Sequence, residues 1–259
     1  MKREIKELKR IARGNLQGNF LGLIRALIFC NLIVSLIETP FSMMTNEIAF
    51  SPTNILYYVA VLLITIASVV LTVGQYCLHL RVARDGKLHL SELFYPLRYD
   101  ANRLIATEAI LYVVRMIGLA PIIGAIVIIS YYDSMDMYMA ALGLVLLGGV
   151  LTICIELTFG LIYFVLIDNE ELSGIACIKK AISMIKGHKR RLLYLWTSFL
   201  GILLLALPTL GLALLWIHPY MMQTTTVFYM DITGELDEVL EKRRAQKPTP
   251  EPVVIDSYV

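Results

Sequence analysis

The stretch LLYLWTSFLGILLLALPTLGLALLWIHPYMMQTTTVFYM, Leu192 to Met230, runs for 39 residues without a Lys, Arg, Asp or Glu. As one helix it would measure about 58 Å, against a bilayer core of about 30 Å. The stretch must therefore break. Near its middle Pro208 removes a backbone donor and Gly211 permits a reversal. Two spans follow, 192–207 and 210–230, the first only about 24 Å long. The alternative is one tilted span followed by an interfacial helix. Outward from this stretch lie four more charge-poor runs, 19–37, 55–80, 104–130 and 138–167. In lipid every backbone polar group has to be satisfied within the chain, so such runs are helices. The expected fold class is all-α: a polytopic helical membrane protein with about six transmembrane helices plus cytoplasmic amphipathic helices.

Charge decides between five spans and six. Of the 23 basic residues, 21 fall into four blocks: Lys2 to Arg13, Arg81 to Arg103, Lys179 to Arg191 and Lys242 to Lys247. The intervening loops, 38–54 and 131–137, carry acids but no Lys or Arg. Basic residues accumulate on the cytoplasmic side of short loops, so six spans place all four blocks and both termini inside. Five would leave Lys242-Arg243-Arg244 outside. The first span carries Arg25 and ends in Leu36-Ile37-Glu38-Thr39-Pro40 without a small-x-small pattern, which predicts an uncleaved segment.

Composition supports this reading. Of 259 residues 58% are hydrophobic and 17% charged, where soluble domains average about 45–50% and about 25%. That excludes a nucleic-acid-binding domain, a secreted disulfide scaffold and a disordered chain. Residues 1–18 form a basic amphipathic segment, with Ile5, Leu8, Ile11, Ala12 and Leu16 on one stripe. Residues 19–230 form the six-span domain. A second amphipathic helix is expected over 172–186, with Ile175, Ile178, Ile182 and Ile185 on one stripe, Ser173 capping its start and Gly187 stopping it. Both helices are expected to lie parallel to the inner leaflet. The tail, 231–259, is cytoplasmic and expected to be disordered after about 247, where Lys-Pro-Thr-Pro-Glu-Pro excludes helix.

Enzyme chemistry has little foothold. The four cysteines are far apart in sequence, and His79, His89, His188 and His218 form no metal-spaced pair. Walker, His-Glu-x-x-His and Gly-x-Ser-x-Gly motifs are missing, so no catalytic residue, metal or other cofactor is expected. The ionisable groups inside the spans remain: Arg25, Glu108, Arg115 and Glu156, with His218 as a further polar site. Charges at that depth cost roughly 2.5–3.5 kcal/mol on insertion scales and are expected to pair. Arg115 lies 11 residues beyond Leu104 and Glu156 lies 11 residues before Ile167. Both depths come to about 16 Å, which predicts an antiparallel pair near mid-bilayer. Arg25 at about 9 Å and Glu108 at about 6 Å predict a second, shallower pair. Glu108 and Arg115, seven residues apart, share one helix face.

One resemblance stands beside these readings. The residues that carry it are Ser183, Lys186-Gly187-His188-Lys189, Ser198-Phe199 with Gly201, Gly211, Pro219-Tyr220 and Phe228-Tyr229, together with Gly14-Asn15 and Gly18-Asn19 near the start. The pattern resembles the bacterial membrane-protein family catalogued as domain of unknown function 975, although Leu200 and Ile202 stand where that family more often has aromatic residues. The resemblance implies a bacterial plasma membrane location and supplies no catalytic residue. Lys186, His188, Lys189, Arg190 and Arg191 fall where an amphipathic helix gives way to a span, a position suited to lipid phosphates. The expectation is a non-enzymatic protein acting through lipid or partner-protein contacts, in envelope homeostasis or tolerance to membrane-active peptides. Its partners would be anionic lipid headgroups and a membrane protein or second copy of the chain. The alternative is a small transporter or channel component using the intramembrane Arg, Glu and His residues.

Overall fold

A computed structural model describes residues 3–44, 55–98 and 101–245, and among them the chain is helical, with no strand. The helices are α1 (Ile5–Leu16), α2 (Phe20–Met44), α3 (Ile55–Asp85), α4 (Tyr95–Arg98), α5 (Ala101–Tyr131), α6 (Met135–Phe159), α7 (Ile162–Asp168), α8 (Gly174–Ile185), α9 (Lys189–Thr197), α10 (Leu200–Leu203), α11 (Leu214–Thr233) and α12 (Glu235–Ala245). Short 3-10 turns cover Leu90–Phe94 and Leu204–Ala206. The acidic loop expected over 38–54 and the tail expected to be disordered after 247 lie largely or wholly outside the described residues.

At the centre stands α3. Most of its second half is buried, Leu71, Val73, Leu78, Leu80, Val82 and Ala83 among them, and even the polar His79 lies inside. α2, α11, α7 and the Leu90–Phe94 turn pack around it. Between α1 and α2 the chain turns through 87° at Gln17–Asn19, where Gly18 has φ +82°. The apolar stripe of α1 therefore swings onto the protein. Leu8 and Ala12 have no exposed surface and Ile5 and Ile11 pack beside them, so this stripe faces α11 and α3 where lipid was expected. A packed protein surface offers the stripe close contacts on both sides, which fluid lipid does not.

α5 and α6, joined by residues 132–134, form a hairpin in close contact along its length. A Cβ on Gly148 would come within 2.5 Å of Ile122, so the small residue sets the approach of the two helices. Pro121 sits inside α5 without ending it. Most of the hairpin surface is apolar and exposed, including Ile117, Ile126, Leu146 and Val150. Residues 101–131 and 135–168 are long and apolar enough to cross a membrane, and the bent α1–α2 pair makes a third candidate among the described residues.

The segment 192–207 is not one helix. It is broken at Ser198–Phe199 into α9, α10 and the 3-10 turn. Phe199 is fully buried there, and Lys9 of α1 donates to the Ser198 carbonyl at 3.0 Å while its ammonium lies 3.9 Å from the centre of the Phe199 ring. A side chain from the far end of the sequence thus satisfies a carbonyl that a continuous helix would have used. The reversal after Pro208 is present, with Leu210 at φ +50° and Gly211 at φ +87° before α11 starts.

α8 splits its four isoleucines between two faces. Cys177, Ala181 and Ile185 form the buried stripe and Ile178 packs beside them. Ile175 and Ile182 face outward. Ser173 accepts from the Ala176 amide at 3.3 Å and Gly187 has φ +87°, so start and stop fall as the residue types require. Burial pushes the Cys177 thiol above its ordinary pKa, against the smaller opposing effects of Arg103 and Lys180. Because the thiolate is the nucleophile, Cys177 is expected to resist a water-soluble maleimide at neutral pH in the folded protein and to react on denaturation. Mass spectrometry of the alkylated Cys177 peptide measures this, and equal labelling in both states would contradict the packing.

Candidate functional site

Inside the α5–α6 hairpin, Arg115 gathers three partners. Its Nη1 donates to Glu108 Oε1 at 2.7 Å, its Nε to Glu156 Oε1 at 3.1 Å and its Nη2 to the Tyr163 hydroxyl at 3.3 Å. Tyr163 in turn donates to Glu108 Oε2 at 2.7 Å, which closes the cluster. The helical repeat places Glu108 two turns from Arg115 on one face of α5, and α6 and α7 bring the other two residues from the opposite side. Tyr76 of α3 packs on Tyr163 with ring centres 5.0 Å apart. One guanidinium thus serves two carboxylates. Glu156 is the most open of the four, with 39% of its side chain exposed.

The expected Arg115–Glu156 contact is present, whereas the second pair is not. Glu108 belongs to Arg115, and Arg25 is exposed and makes no ion pair among the described residues. The reason is packing: α2 lies against α3 and α11 and makes no substantial contact with α5. His218 is exposed at the surface, and with His79 it borders a void of about 10 Å³, room for one water at most. His79 is instead buried against Gln223, Nδ1 to Oε1 at 2.7 Å.

A larger polar assembly occupies the end of the molecule that carries the basic blocks. Arg84, at the end of α3, makes paired contacts with Asp168 (2.9 and 2.8 Å) and with Glu235 (2.5 and 2.8 Å). Tyr229 donates to Asp168 Oδ2 at 2.8 Å while its ring stacks on Phe164 at 4.9 Å. Burial works against the Arg84 charge, but its hydrogen bonds to Glu235 and Asp168, with the attraction of both carboxylates, outweigh it and hold its pKa above the ordinary value. Arg84 therefore stays cationic throughout the accessible pH range. Beside it a cleft of about 570 Å³ is lined by Arg81, Asp168, Glu170, Glu171 and Lys180.

Two arginines close helix ends. Arg103 donates to the carbonyl of Leu166 in the last turn of α7 and to those of Asn169, Glu170 and Leu172 beyond it. Arg243 of α12 donates to the carbonyls of Val82 and Ala83 at the end of α3 and to the Asn15 side chain at 2.6 Å. Each adds side-chain donors to the carbonyls clustered around a helix terminus, some of which, such as Val82 and Asn169, also accept a backbone amide.

Of the five residues expected to meet lipid phosphates, Arg191 is already committed. Its Nη1 lies 2.7 Å from Asp231, whose side chain is 1% exposed, and Arg3 approaches the same carboxylate at 3.5 Å. The Arg191–Asp231 contact is an ion pair by distance without hydrogen-bond alignment. A buried carboxylate needs cations, which explains why Arg191 turns inward. Lys186, Lys189 and Arg190 remain exposed, Lys189 reaching Thr158 at 2.7 Å, and His188 is half-buried. Sequence reading missed Asp168, Asp231 and Glu235 as partners. A signal existed, since Asp168 and Asp231 immediately follow apolar runs, with Glu235 four residues beyond Asp231, on the side otherwise crowded with Lys and Arg.

Residues 1–235 match the model of a family described as Protein of unknown function (DUF975). The chain belongs to the DUF975 family. No curated protein and no solved structure matches it. In this DUF975 chain the residues behind the resemblance are tied to packing at the basic end. Tyr220 receives a hydrogen bond from Arg13 at 2.9 Å, Phe228 is fully buried beneath Arg191, and Tyr229 holds Asp168.

Proposed function

We propose that this DUF975 chain is a non-enzymatic, multi-pass protein of the bacterial plasma membrane, with both termini cytoplasmic, that acts by contact with anionic lipid headgroups. The reading rests on the outer face of α8. There Ile175, Lys179, Ile182 and Lys186 follow one another at spacings of four, three and four, and all are exposed, Ile175 at 57%. Since the inner stripe of α8 already supplies its packing, two outward isoleucines alternating with lysines are surplus to folding. A helix at headgroup level uses that pattern: apolar side chains enter the acyl boundary and lysines reach the phosphates. Exposed Lys189 and Arg190 extend the patch, each basic residue near an anionic surface contributing about 1 kcal/mol.

The six-span arrangement goes with this proposal, the basic blocks facing the cytoplasm and the Pro208–Gly211 turn outside. A cysteine at position 209 is expected to be labelled from outside only; labelling from the cytoplasm alone would sink that topology. For function, the test is a strain lacking the gene, complemented with wild type or with Lys179, Lys186, Lys189 and Arg190 all changed to Glu. The variant is expected to insert normally yet fail to restore lipid composition and tolerance to membrane-active peptides. Full complementation by it would overturn the reading.

A second reading, a small transporter or channel component, is favoured by the charge ratio at Arg115, where two carboxylates share one guanidinium. Proton or potassium flux in proteoliposomes, abolished by Glu156→Gln, would be its signature.

A further inference from the structure

At the elbow between α1 and α2 the bend opens a groove of about 360 Å³ whose far wall is α10 and α11. Leu16, Phe20, Ile202, Trp216 and Ile217 line it, and its rim carries Arg13. The lining is almost wholly apolar, yet the cation at the mouth is fixed in place. Arg13 Nε donates to the Tyr220 hydroxyl at 2.9 Å and its guanidinium carbon lies 5.3 Å from the Tyr220 ring centre. The side chain is exposed, and its two terminal nitrogens make no hydrogen bond or ion pair among the described residues. Arg10 stands exposed on the preceding turn of α1. An oriented fork of free N–H donors above an apolar slot suits an amphiphile with an anionic head, and a membrane supplies that above all as a phosphate ester carrying a hydrocarbon chain.

We infer that this groove is a binding site for a single anionic phospholipid, its phosphate on Arg13 and the upper part of one acyl chain between Phe20, Ile202 and Trp216. The inference rests on the membrane reading above but concerns a separate place from the α8 patch. Trp216, 53% exposed at the groove, is one of only two tryptophans in the chain, the other being Trp196. It reports directly on the occupant. Free phosphate shares the headgroup chemistry but has nothing to place in the apolar slot.

The experiment uses the full chain with Trp196→Phe, reconstituted in nanodiscs of unlabelled zwitterionic lipid doped with a few per cent of acyl-brominated lipid, which quenches tryptophan on contact. Brominated phosphatidylglycerol is expected to quench Trp216 at least threefold more efficiently than brominated phosphatidylcholine at equal doping. Arg13→Gln is expected to bring the two lipids to equality, Arg13→Lys to recover part of the difference, and 50 mM inorganic phosphate to leave it unchanged. Equal quenching by both lipids in the parent protein would overturn the site, marking Trp216 as lipid-facing only. Loss of the preference in inorganic phosphate would overturn it in favour of a free-anion site. No quenching by either lipid would overturn it together with the membrane reading. Should Arg13→Gln not fold, Phe20→Trp in a Trp196→Phe/Trp216→Phe background gives the same comparison from the opposite wall.

Discussion

Replacing Arg115 by Leu is expected to cost about 3–5 kcal/mol, because the change strands two carboxylates in an apolar hairpin. Glu156→Leu should be far milder. It leaves Arg115 and Glu108 as a balanced pair still joined through Tyr163, and it removes the carboxylate with the most open surroundings. Glu108→Leu falls between the two, since it takes away both the 2.7 Å ion pair and the acceptor of the Tyr163 hydroxyl. The triple variant Arg115→Leu/Glu108→Leu/Glu156→Leu should recover much of the loss seen for Arg115→Leu, as it leaves no charge unpartnered. Unfolding in mixed detergent micelles, followed by loss of tertiary signal, measures all four. Additive losses would mean that the residues do not act as one cluster.

The second large effect is expected at Arg84. One side chain there holds the end of α3 to the last residue of α7 and the first of α12. Its removal in Arg84→Met leaves Asp168 and Glu235 facing each other without a cation, and a loss of about 3 kcal/mol is expected. Lysine should recover less than half of it, because an ammonium cannot make two paired contacts at once. Thermal melting of the detergent-solubilised protein gives the size of the loss, and hydrogen exchange across 235–245 shows whether α12 comes loose first. Unchanged protection of α12 in Arg84→Met would refute its role as the fastener.

How far the sequence was readable depends on the kind of contact. Helix chemistry is largely local, so most of the apolar runs, the Ser173 cap, the Gly187 stop and the turn after Pro208 were accessible, while the break of 192–207 at Ser198–Phe199, which depends on Lys9, was not. Depth counting brought Arg115 and Glu156 together because each is tied to a span end by a nearby charge. The same counting failed for Arg25, since equal depth says nothing about which helices are neighbours. The Arg84 and Asp231 clusters were hidden for a related reason: their members come from segments about 40 to 230 residues apart, and only the packing of the helices decides who meets whom. Stripe arguments had a further blind spot. They found the apolar faces of α1 and α8 but could not tell lipid from protein as the covering, and α1 turned out to take protein while α8 divides its isoleucines between the two faces.

The docking of α1 has a consequence in time. Its fixed contacts lie on late segments, for Lys9 meets Ser198, Arg13 meets Tyr220, and Arg191 donates to the carbonyl of Arg3 across 188 residues. At about 5–20 residues per second of synthesis, α1 is complete roughly ten to forty seconds before that arginine exists. Throughout this interval the stripe of Leu8 and Ala12 lacks α11, the larger of its two coverings, and on the membrane reading proposed above a basic amphipathic helix so exposed settles on the anionic inner leaflet. Ribosome-bound chains halted before residue 189 should crosslink α1 to lipid, and longer chains should lose that crosslink as α9 and α11 emerge. On that reading the first helix of the chain is a lodger at the membrane surface during synthesis and a full core element only when synthesis is nearly over.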